Sequence, residues 1–306
     1  MLDAMQTITP GPPALDPPAL DPLTPAPADR SRSASGLPGS MRASAPWQRC
    51  REAALRALDP WLPRACALCG ATLTQRHAGL CRHCRLDLPG RTRLRCQRCG
   101  GGLGAAGPCP DCAETGFAFD ATCVLADYAP PLDRLIGALK FRGQLAGGRA
   151  LGLETARVLR RWQADNAAAG GLPIGLLIAV PLSEARLRER GFNQSQAIAT
   201  ALGQRCEIAL GQPLIRARAT LAQSGLPLAE RRTNLLDAFV LAAAFTPGAR
   251  NPALPGHVAL VDDVMTTGAT LHAAARVLRL AGVRQITAVV AARTRRPDLP
   301  PSASQT

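Results

Sequence analysis

The chain has 306 residues, of which 47% are hydrophobic and 3% aromatic, and its formal net charge at pH 7 is +14. This length and apolar content suit one α/β domain with a small accessory module, and the basic charge favours an anionic partner, either a phosphate-bearing small molecule or nucleic acid. No apolar run is long enough for a transmembrane helix and no secretory signal pattern is present, so we expect a cytoplasmic protein without membrane insertion.

The N-terminal part of the sequence changes character near residue 46. Residues 1–46 are rich in Pro, Ala, Ser and Asp and repeat the unit PPALD at Pro12–Asp16 and Pro17–Asp21. This composition predicts a disordered leader. The helical spacing of apolar residues then predicts a short amphipathic helix over Trp47–Leu62.

A cysteine-rich segment follows, which we assign with the helix to a module over residues 47–116. Its four C-x-x-C pairs are Cys66/Cys69, Cys81/Cys84, Cys96/Cys99 and Cys109/Cys112. Zinc takes four tetrahedral ligands, so the pairs predict two closed structural zinc sites without zinc chemistry. Gly70 and Gly100 follow the first pair of each half, which favours consecutive pairing; interleaved pairing and metal-free, redox-active thiols are the alternatives.

From Phe117 onward, strand and helix patterns alternate. We predict strands over Ala121–Ala126, Leu176–Pro181, Val258–Val261 and Gln285–Ala291, and helices over Pro131–Phe141, Gly147–Ala164, Gln194–Gln204 and Ala269–Ala281. Such alternation predicts an α/β domain over residues 117–295, with a mostly parallel sheet covered by helices on both faces. Residues 296–306 are predicted to form a flexible tail.

The segment Val258–Thr270 carries the clearest functional pattern. An apolar strand runs into two adjacent carboxylates, Asp262 and Asp263, and is followed by a Thr-Thr-Gly turn at the start of a helix. Backbone N–H groups at a helix N-terminus bind anions, and Gly268 allows a phosphate to approach the backbone closely. The acid pair can accept hydrogen bonds from ribose hydroxyls, so the whole segment suits a sugar phosphate. The alternative is an Asp-capped turn without a ligand.

No Walker A sequence occurs in the chain, and no dinucleotide-binding fingerprint lies between a strand pattern and a helix pattern; the G-x-G-x-x-G run from Gly102 to Gly107 falls inside the cysteine-rich segment. NTP hydrolysis and NAD binding therefore have little support.

At these residues the chain resembles the type I phosphoribosyltransferases. Further motifs make it resemble the ComF family of competence-associated proteins, in which a double zinc ribbon precedes such a domain: Leu139-Lys140-Phe141-Arg142-Gly143, Val180-Pro181-Leu182, Arg190-Gly191-Phe192-Asn193-Gln194 and Arg231-Arg232-Thr233-Asn234. The resemblance implies the type I phosphoribosyltransferase fold and binding of phosphoribosyl pyrophosphate. It assigns the ribose hydroxyls to Asp262 and Asp263, as catalytic residues. It assigns the phosphate and ribose contacts to the following segment: Val264, Met265, Thr266, Thr267, Gly268, Ala269 and Thr270.

The resemblance also implies a Mg²⁺ ion bound with phosphoribosyl pyrophosphate, and a set of residues for the diphosphate. Arg186 and Arg190 are candidates in the loop after the Leu176 strand, and Gln223, Arg231 and Arg232 are candidates in a mobile loop over residues 216–234. Lys140, the only lysine of the chain, suggests a specific point charge; a cation at a helix C-terminus is the alternative.

Two functions remain open at this point. The first is a phosphoribosyltransferase with an unidentified acceptor, linked through the resemblance to DNA uptake in natural transformation. The second is a non-catalytic accessory protein for DNA processing, which binds single-stranded DNA and a competence helicase. The scarcity of aromatic residues weakens direct recognition of bases.

Overall fold

The structure, a computed structural model, describes residues 64–75, 78–92, 94–103, 109, 111–112, 116–217, 238–246 and 253–294. All of these residues belong to a unit that spans Arg56–Thr306. The predicted leader, the predicted helix Trp47–Leu62 and the predicted tail lie outside the described residues, as do Gln223, Arg231 and Arg232.

The cysteine-rich segment contains little regular structure. Strand β1 (Arg64–Ala65) pairs antiparallel with β2 (Thr72–Leu73), and the short helix α1 (Arg82–Leu86) begins after Cys81. The Cys81 sulfur accepts a hydrogen bond from the Cys84 amide at 3.4 Å and so caps this helix. The backbone here is therefore shaped by its cysteines rather than by a core of its own.

Strands and helices alternate through the rest of the described chain. In order they are β3 (Ala121–Asp127), α2 (Leu132–Arg142), α3 (Leu145–Ala168), β4 (Leu176–Ala179), α4 (Glu184–Arg190), α5 (Gln194–Cys206), β5 (Leu210–Gly211), β6 (Leu214–Arg216), β7 (Phe239–Leu241), β8 (His257–Met265), α6 (Ala269–Leu280) and β9 (Gln285–Arg293), with a 3-10 turn at Ala243–Phe245. None of the described helices combines the length and the hydropathy needed to cross a bilayer.

The central sheet has five strands in the order β3-β9-β8-β4-β5, and every pairing in it is parallel. Strands β6 and β7 form a separate antiparallel pair. The expected α/β fold with a mostly parallel sheet is thus confirmed. The predicted end of β8 at Val261 is wrong, because Asp262 still pairs with Val290 and Val264 with Ala292. Helix α4 and strands β5, β6 and β7 were not predicted.

Two apolar layers enclose the sheet. Side chains alternate along β8, so that Ala259 and Val261 pack with α2, α3 and α5, whereas Val258 and Leu260 pack with α6. A Cβ atom at Gly152 would collide with the Ile198 carbonyl oxygen, so this glycine lets α3 approach α5 closely. This close packing fixes the N-terminal end of α5 beside the carboxyl ends of the strands.

The cysteine-rich segment covers the edge of the sheet at β3. The Thr122 amide donates to the Gln97 carbonyl at 2.8 Å, and the Asp127 amide donates to the Pro89 carbonyl at 2.7 Å. Arg95 adds an ion pair with the buried Asp127 carboxylate at 2.7 Å. The edge strand therefore has partners on both sides.

Glu154 of α3 holds the first half of the cysteine-rich segment. Its side chain is 1% exposed, and its Oε1 accepts hydrogen bonds from the amides of Gly79 at 3.0 Å and Leu80 at 3.1 Å. Its Oε2 forms an ion pair with the Arg85 guanidinium at 2.7 Å. One buried carboxylate thus satisfies three donors from the segment.

We predict that Glu154→Gln lowers the free energy of unfolding of the zinc-loaded chain by about 2–4 kcal/mol, because the amide offers one acceptor oxygen and no charge to these donors. Urea denaturation measures the loss. Glu184→Gln is the matched control, since Glu184 is 88% exposed and pairs with Arg188 at 3.5 Å. Its effect should stay below about 0.5 kcal/mol. Equal losses in the two variants would contradict the anchoring role of Glu154.

Candidate functional site

The eight paired cysteines form two groups of four. One group is Cys66, Cys69, Cys81 and Cys84, and the other is Cys96, Cys99, Cys109 and Cys112; within each group all sulfur atoms lie within 4.8 Å of one another. This is the consecutive pairing that the positions of Gly70 and Gly100 favoured, and both glycines have positive φ, +75° and +68°.

The spacing of the sulfur atoms fits zinc. The distance between the two sulfur atoms is 3.7 Å for Cys69–Cys81, 3.6 Å for Cys96–Cys112 and 3.5 Å for Cys99–Cys109. Four ligands about 2.3 Å from a tetrahedral ion lie about 3.8 Å apart, so each group can hold one Zn²⁺ with only small adjustments. With all four positions taken by thiolates, such a site is structural.

The acid pair of β8 lies at the carboxyl end of the central strands, and its two members have different partners. Asp262 Oδ1 accepts a hydrogen bond from the Ser195 hydroxyl at 2.8 Å and from the Asp263 amide at 2.9 Å. Asp263 is buried, and its Oδ2 forms an ion pair with Lys140 Nζ at 2.7 Å. The adjacent carboxylates are thus held apart by groups from α5 and α2.

Burial is the main cause of an unusual ionisation of Asp262. Burial and the adjacent Asp263 charge raise the pKa of Asp262 from 3.8 to about 7, although the Ser195 hydroxyl and Lys140 oppose the shift. Any hydroxyl donor or cation that approaches such a carboxylate stabilises its ionised form. The site is therefore suited to a ligand that brings such groups.

Lys140 reaches the acid pair from the last turn of α2, which ends at Gly143 with φ +63°. The next residue, Phe141, is 78% exposed, and the Arg190 guanidinium lies 5.7 Å from its ring centroid. Both interpretations of Lys140 therefore hold: it lies near a helix C-terminus, and it forms a specific ion pair with Asp263.

The Thr-Thr-Gly turn joins β8 to α6. Gly268 is the N-cap of α6 with φ +79°, and a Cβ atom there would lie 2.6 Å from Met265 Cε and 2.9 Å from Phe117 Cε1. No side chain caps α6 through this residue, and Thr267 Oγ1 accepts only from the Ala269 amide, at 3.3 Å. The geometry keeps the first turn of α6 accessible to an anion.

Two members of the predicted phosphate and ribose set lie elsewhere than expected. Val264 and Met265 belong to strand β8, because pairing with β9 continues through them. The Met265 side chain is 1% exposed and packs in the core. Thr266 is exposed, whereas Thr267, Ala269 and Thr270 are half-buried at the start of α6.

Arg293 connects the turn to the second cysteine group. This arginine, 5% exposed, donates to the carbonyl oxygens of Met265 and Thr266, to the Cys99 carbonyl at 3.3 Å and to the Asp111 carboxylate at 3.0 Å. A single guanidinium therefore fixes the entrance of the turn relative to a zinc ligand.

The predicted diphosphate residues Arg186 and Arg190 lie on α4, a helix where a loop was expected. Burial lowers the pKa of Arg216, and the nearby Arg186 charge lowers it further, whereas the Asp262 charge raises it. Arg186, Arg216 and Asp262 are therefore within electrostatic range of one another. The structure does not describe Gln223, Arg231 or Arg232.

Three residues near the candidate site were not predicted as site residues: Ser195, Asn193 and Arg216. The Asn193 side chain accepts from the Ser195 amide at 3.0 Å and donates to the Val180 carbonyl at 3.0 Å, so it fixes Ser195 relative to β4. Asn193 belongs to the motif Arg190–Gln194, and because asparagine often caps a helix N-terminus, the sequence could have predicted its role as a cap. Ser195 and Arg216 gave no such signal, because their partners are distant in sequence.

Comparison with known proteins agrees with this arrangement. Residues 57–113 match the model of the double zinc ribbon domain. The chain is 33% identical over 223 residues to the DNA utilization protein YhgH of Salmonella typhi, which covers 71% of this chain and 91% of that protein. It is 33% identical over 224 residues to competence protein F of Haemophilus influenzae, covering 72% and 93%. The chain belongs to the competence protein F family. A more distant member, competence protein ComFC of Bacillus subtilis, is 28% identical over 205 residues, 65% of this chain and 77% of that protein.

We predict that this competence protein F family member, purified without chelators, contains about two zinc ions per chain. Cys99→Ser should retain about one, because it removes a ligand from the second group alone. Cys206→Ser, which lies outside both groups, should retain two. Elemental analysis after gel filtration measures the content, and one zinc in the unaltered chain would contradict one ion per group.

We predict that removing the charge of Asp262 and removing the charge of Asp263 change the free energy of unfolding in opposite directions. The folded chain binds a proton at Asp262 more tightly than the unfolded chain does, so stability is lost as the pH rises from about 4 to about 7. Asp262→Asn removes this loss and should raise the free energy of unfolding at pH 8 by about 1–3 kcal/mol in the ligand-free protein. Asp263→Asn should lower it, because Lys140 loses its partner.

Urea denaturation between about pH 6 and pH 8.5 tests both changes. The gain from Asp262→Asn should grow with pH up to about 7 and then stay constant. Destabilisation by both variants at pH 8 would contradict the assigned ionisation of Asp262.

Proposed function

We propose that this chain binds phosphoribosyl pyrophosphate at the carboxyl end of β8 and transfers the phosphoribosyl group to an acceptor, with release of pyrophosphate. One observation carries the proposal. A carboxylate pair lies near the end of β8, and the three-residue turn Thr266–Gly268 joins that strand to the start of α6 at the carboxyl edge of a parallel sheet. Open α/β sheets bind their ligands at this edge.

Each half of the ligand has a counterpart in this arrangement. Asp262 and Asp263 accept hydrogen bonds from the two ribose hydroxyls, and Ser195 and Lys140 orient these carboxylates. The amides and hydroxyls of Thr266–Thr270 hold the 5′-phosphate at the positive end of the α6 dipole. Gly268 maintains the turn, since its positive φ and the contacts of Met265 and Phe117 leave no room for a side chain.

The diphosphate has its counterpart on the arginine side of the site. Arg186, Arg190 and Arg216 supply guanidinium groups from α4 and β6, and guanidinium forks bind phosphate oxygens in pairs. We also assign Gln223, Arg231 and Arg232, which lie outside the described residues, to this diphosphate. The arginines of the set attract the leaving group away from the carbon atom that the acceptor attacks.

A Mg²⁺ ion bound with the substrate would neutralise charge on the diphosphate and so assist its departure. The acid pair fits a bound cation, because the Asp262 carboxylate is destabilised by burial and by its neighbour in the ligand-free protein.

The names of the relatives suggest where such a protein acts. Two of them are called competence proteins and one a DNA utilization protein. We propose that this chain serves DNA uptake in the cytoplasm. The same names also suit our second candidate, a non-catalytic accessory protein for DNA processing, for which we propose single-stranded DNA and a competence helicase as partners.

Isothermal titration with phosphoribosyl pyrophosphate and excess Mg²⁺ tests the proposed pocket. The double variant Asp262→Asn/Asp263→Asn should bind at least about 100-fold more weakly, because two hydrogen bonds to charged acceptors are lost. The matched control is Asp87→Asn/Asp165→Asn, which changes two exposed aspartates elsewhere and should bind normally. Equal affinity of the two double variants would overturn the assignment.

The pH dependence adds a second readout. Ribose hydroxyls need an ionised Asp262, so the affinity of the unaltered chain should rise by up to about tenfold per pH unit below pH 7 and then level off. This component should be absent in Asp262→Asn. Pyrophosphate release in a screen of acceptors establishes a transferase, whereas binding without release favours the accessory protein.

A further inference from the structure

A cavity of about 410 Å³ lies between the first half of the cysteine-rich segment, α3 and the edge of β3. This volume is within the usual range of ligand pockets. Six arginines line the cavity: Arg85, Arg91, Arg157, Arg160, Arg161 and Arg205. We refer to it as the arginine pocket.

The positive charge of the arginine pocket is largely uncompensated. Glu154 is the one acidic residue among the lining residues, so six guanidinium groups against one carboxylate leave a formal charge of +5. Glu154 is already bound to the Gly79 and Leu80 amides, to Arg85 and, at 3.4 Å, to Arg157.

The other four arginines have no such partner. Within the described part of the chain, no carboxylate forms an ion pair with any of them: Arg91, Arg160, Arg161 and Arg205. Burial lowers the pKa of Arg157, and the charges of Arg85, Arg205 and Arg161 lower it further, although Glu154 opposes them. The guanidinium groups are therefore close enough to repel one another, and an anion among them would relieve that repulsion.

The arginine pocket is distinct from the phosphoribosyl site. Helix α5 places Ser195, which contacts Asp262, in its first turn and Arg205 in its last turn. Ten residues of helix correspond to about 15 Å. The two sites also share no lining residue, since the acid pair, Lys140 and the Thr-Thr-Gly turn are absent from the cavity wall.

We propose that the arginine pocket is a second anion site, which binds phosphate groups supplied either by a single-stranded nucleic-acid backbone or by a free polyphosphate. Guanidinium forks match the oxygen geometry of phosphate. Among the residues that the structure describes, the lining contains no aromatic ring, and its apolar part consists of Leu88, Val124, Leu125 and Val158. Without a stacking platform the site recognises phosphate and not base identity. This proposal does not depend on the binding of phosphoribosyl pyrophosphate.

The test uses Arg160→Ala/Arg161→Ala in the full-length, zinc-loaded chain. Both side chains belong to exposed residues of α3 and neither bonds to Glu154, so the fold should persist. The matched control is Arg134→Ala/Arg276→Ala, which removes two exposed helical arginines outside the cavity. Zinc content and melting temperature verify that both variants are folded.

The first arm measures fluorescence anisotropy with a labelled oligothymidylate. The pocket variant should bind about 10- to 30-fold more weakly near 0.1 M salt, and the slope of log K against log salt should fall by about 1.4, for two lost phosphate contacts on a single strand. The second arm titrates inorganic tripolyphosphate by calorimetry. Loss in the first arm identifies a nucleic-acid strand as a source of the phosphates. Loss confined to the second arm identifies a free polyphosphate.

The proposal is overturned if the unaltered chain binds neither probe, or if the pocket variant and the control variant lose affinity equally in both arms. The double variant Asp262→Asn/Asp263→Asn should bind the oligothymidylate like the unaltered chain. The pocket variant should in turn keep its affinity for phosphoribosyl pyrophosphate, so failure of one site is distinguishable from failure of the other.

Discussion

The open edge of the central sheet is the constraint around which this chain is organised. Strand β3 pairs with β9 on one side, and its other side would expose unpaired backbone groups without the carbonyls of Pro89 and Gln97. These carbonyls belong to a segment too short to form a hydrophobic core of its own. Two Cys₄ zinc sites can fix its backbone instead, so the metal acts on the sheet through the positions of a few carbonyl groups.

The same dependence extends to the Thr-Thr-Gly turn. Arg293, at the end of β9, donates to the carbonyls of Met265 and Thr266 and also to Cys99 and Asp111 of the second cysteine group. A buried guanidinium needs several acceptors at once, so the turn and the cysteine group satisfy it together. A structural zinc site can thereby influence ligand binding without contacting a ligand.

Local chemistry explains which features the sequence could predict. The cysteine spacing and the β8-to-α6 turn are local patterns. The first predicted the two groups of four cysteines, which the structure confirms, and the second located the candidate site, whose ligand stays a prediction. The acid pair misled the prediction of the end of β8, because carboxylates that bind Lys140 and Ser195 can remain in a strand. Helix α4 has no buried residue, so its sequence shows no apolar stripe, and the N-cap residue Ser183 was one of the few features that could have predicted it. Ser195 and Asp262 are 67 residues apart, and no periodicity reports such a contact.

The two candidate anion sites differ in the way their charges are arranged. Around β8, acids and cations lie together: Asp263 pairs with Lys140, Asp262 accepts from Ser195, and the charges of Arg186 and Asp262 both act on Arg216. In the proposed function, such a site favours a ligand that carries hydroxyls as well as phosphates, because a bare phosphate chain would meet the carboxylates. In the arginine pocket, the Glu154 carboxylate is already bound to the Gly79 amide and to Arg85. No unpaired carboxylate among the described lining residues is therefore left to repel a chain of phosphates. In the two proposals, the arrangement of the charges, rather than the net charge, distinguishes a site for a sugar phosphate from a site for phosphate alone.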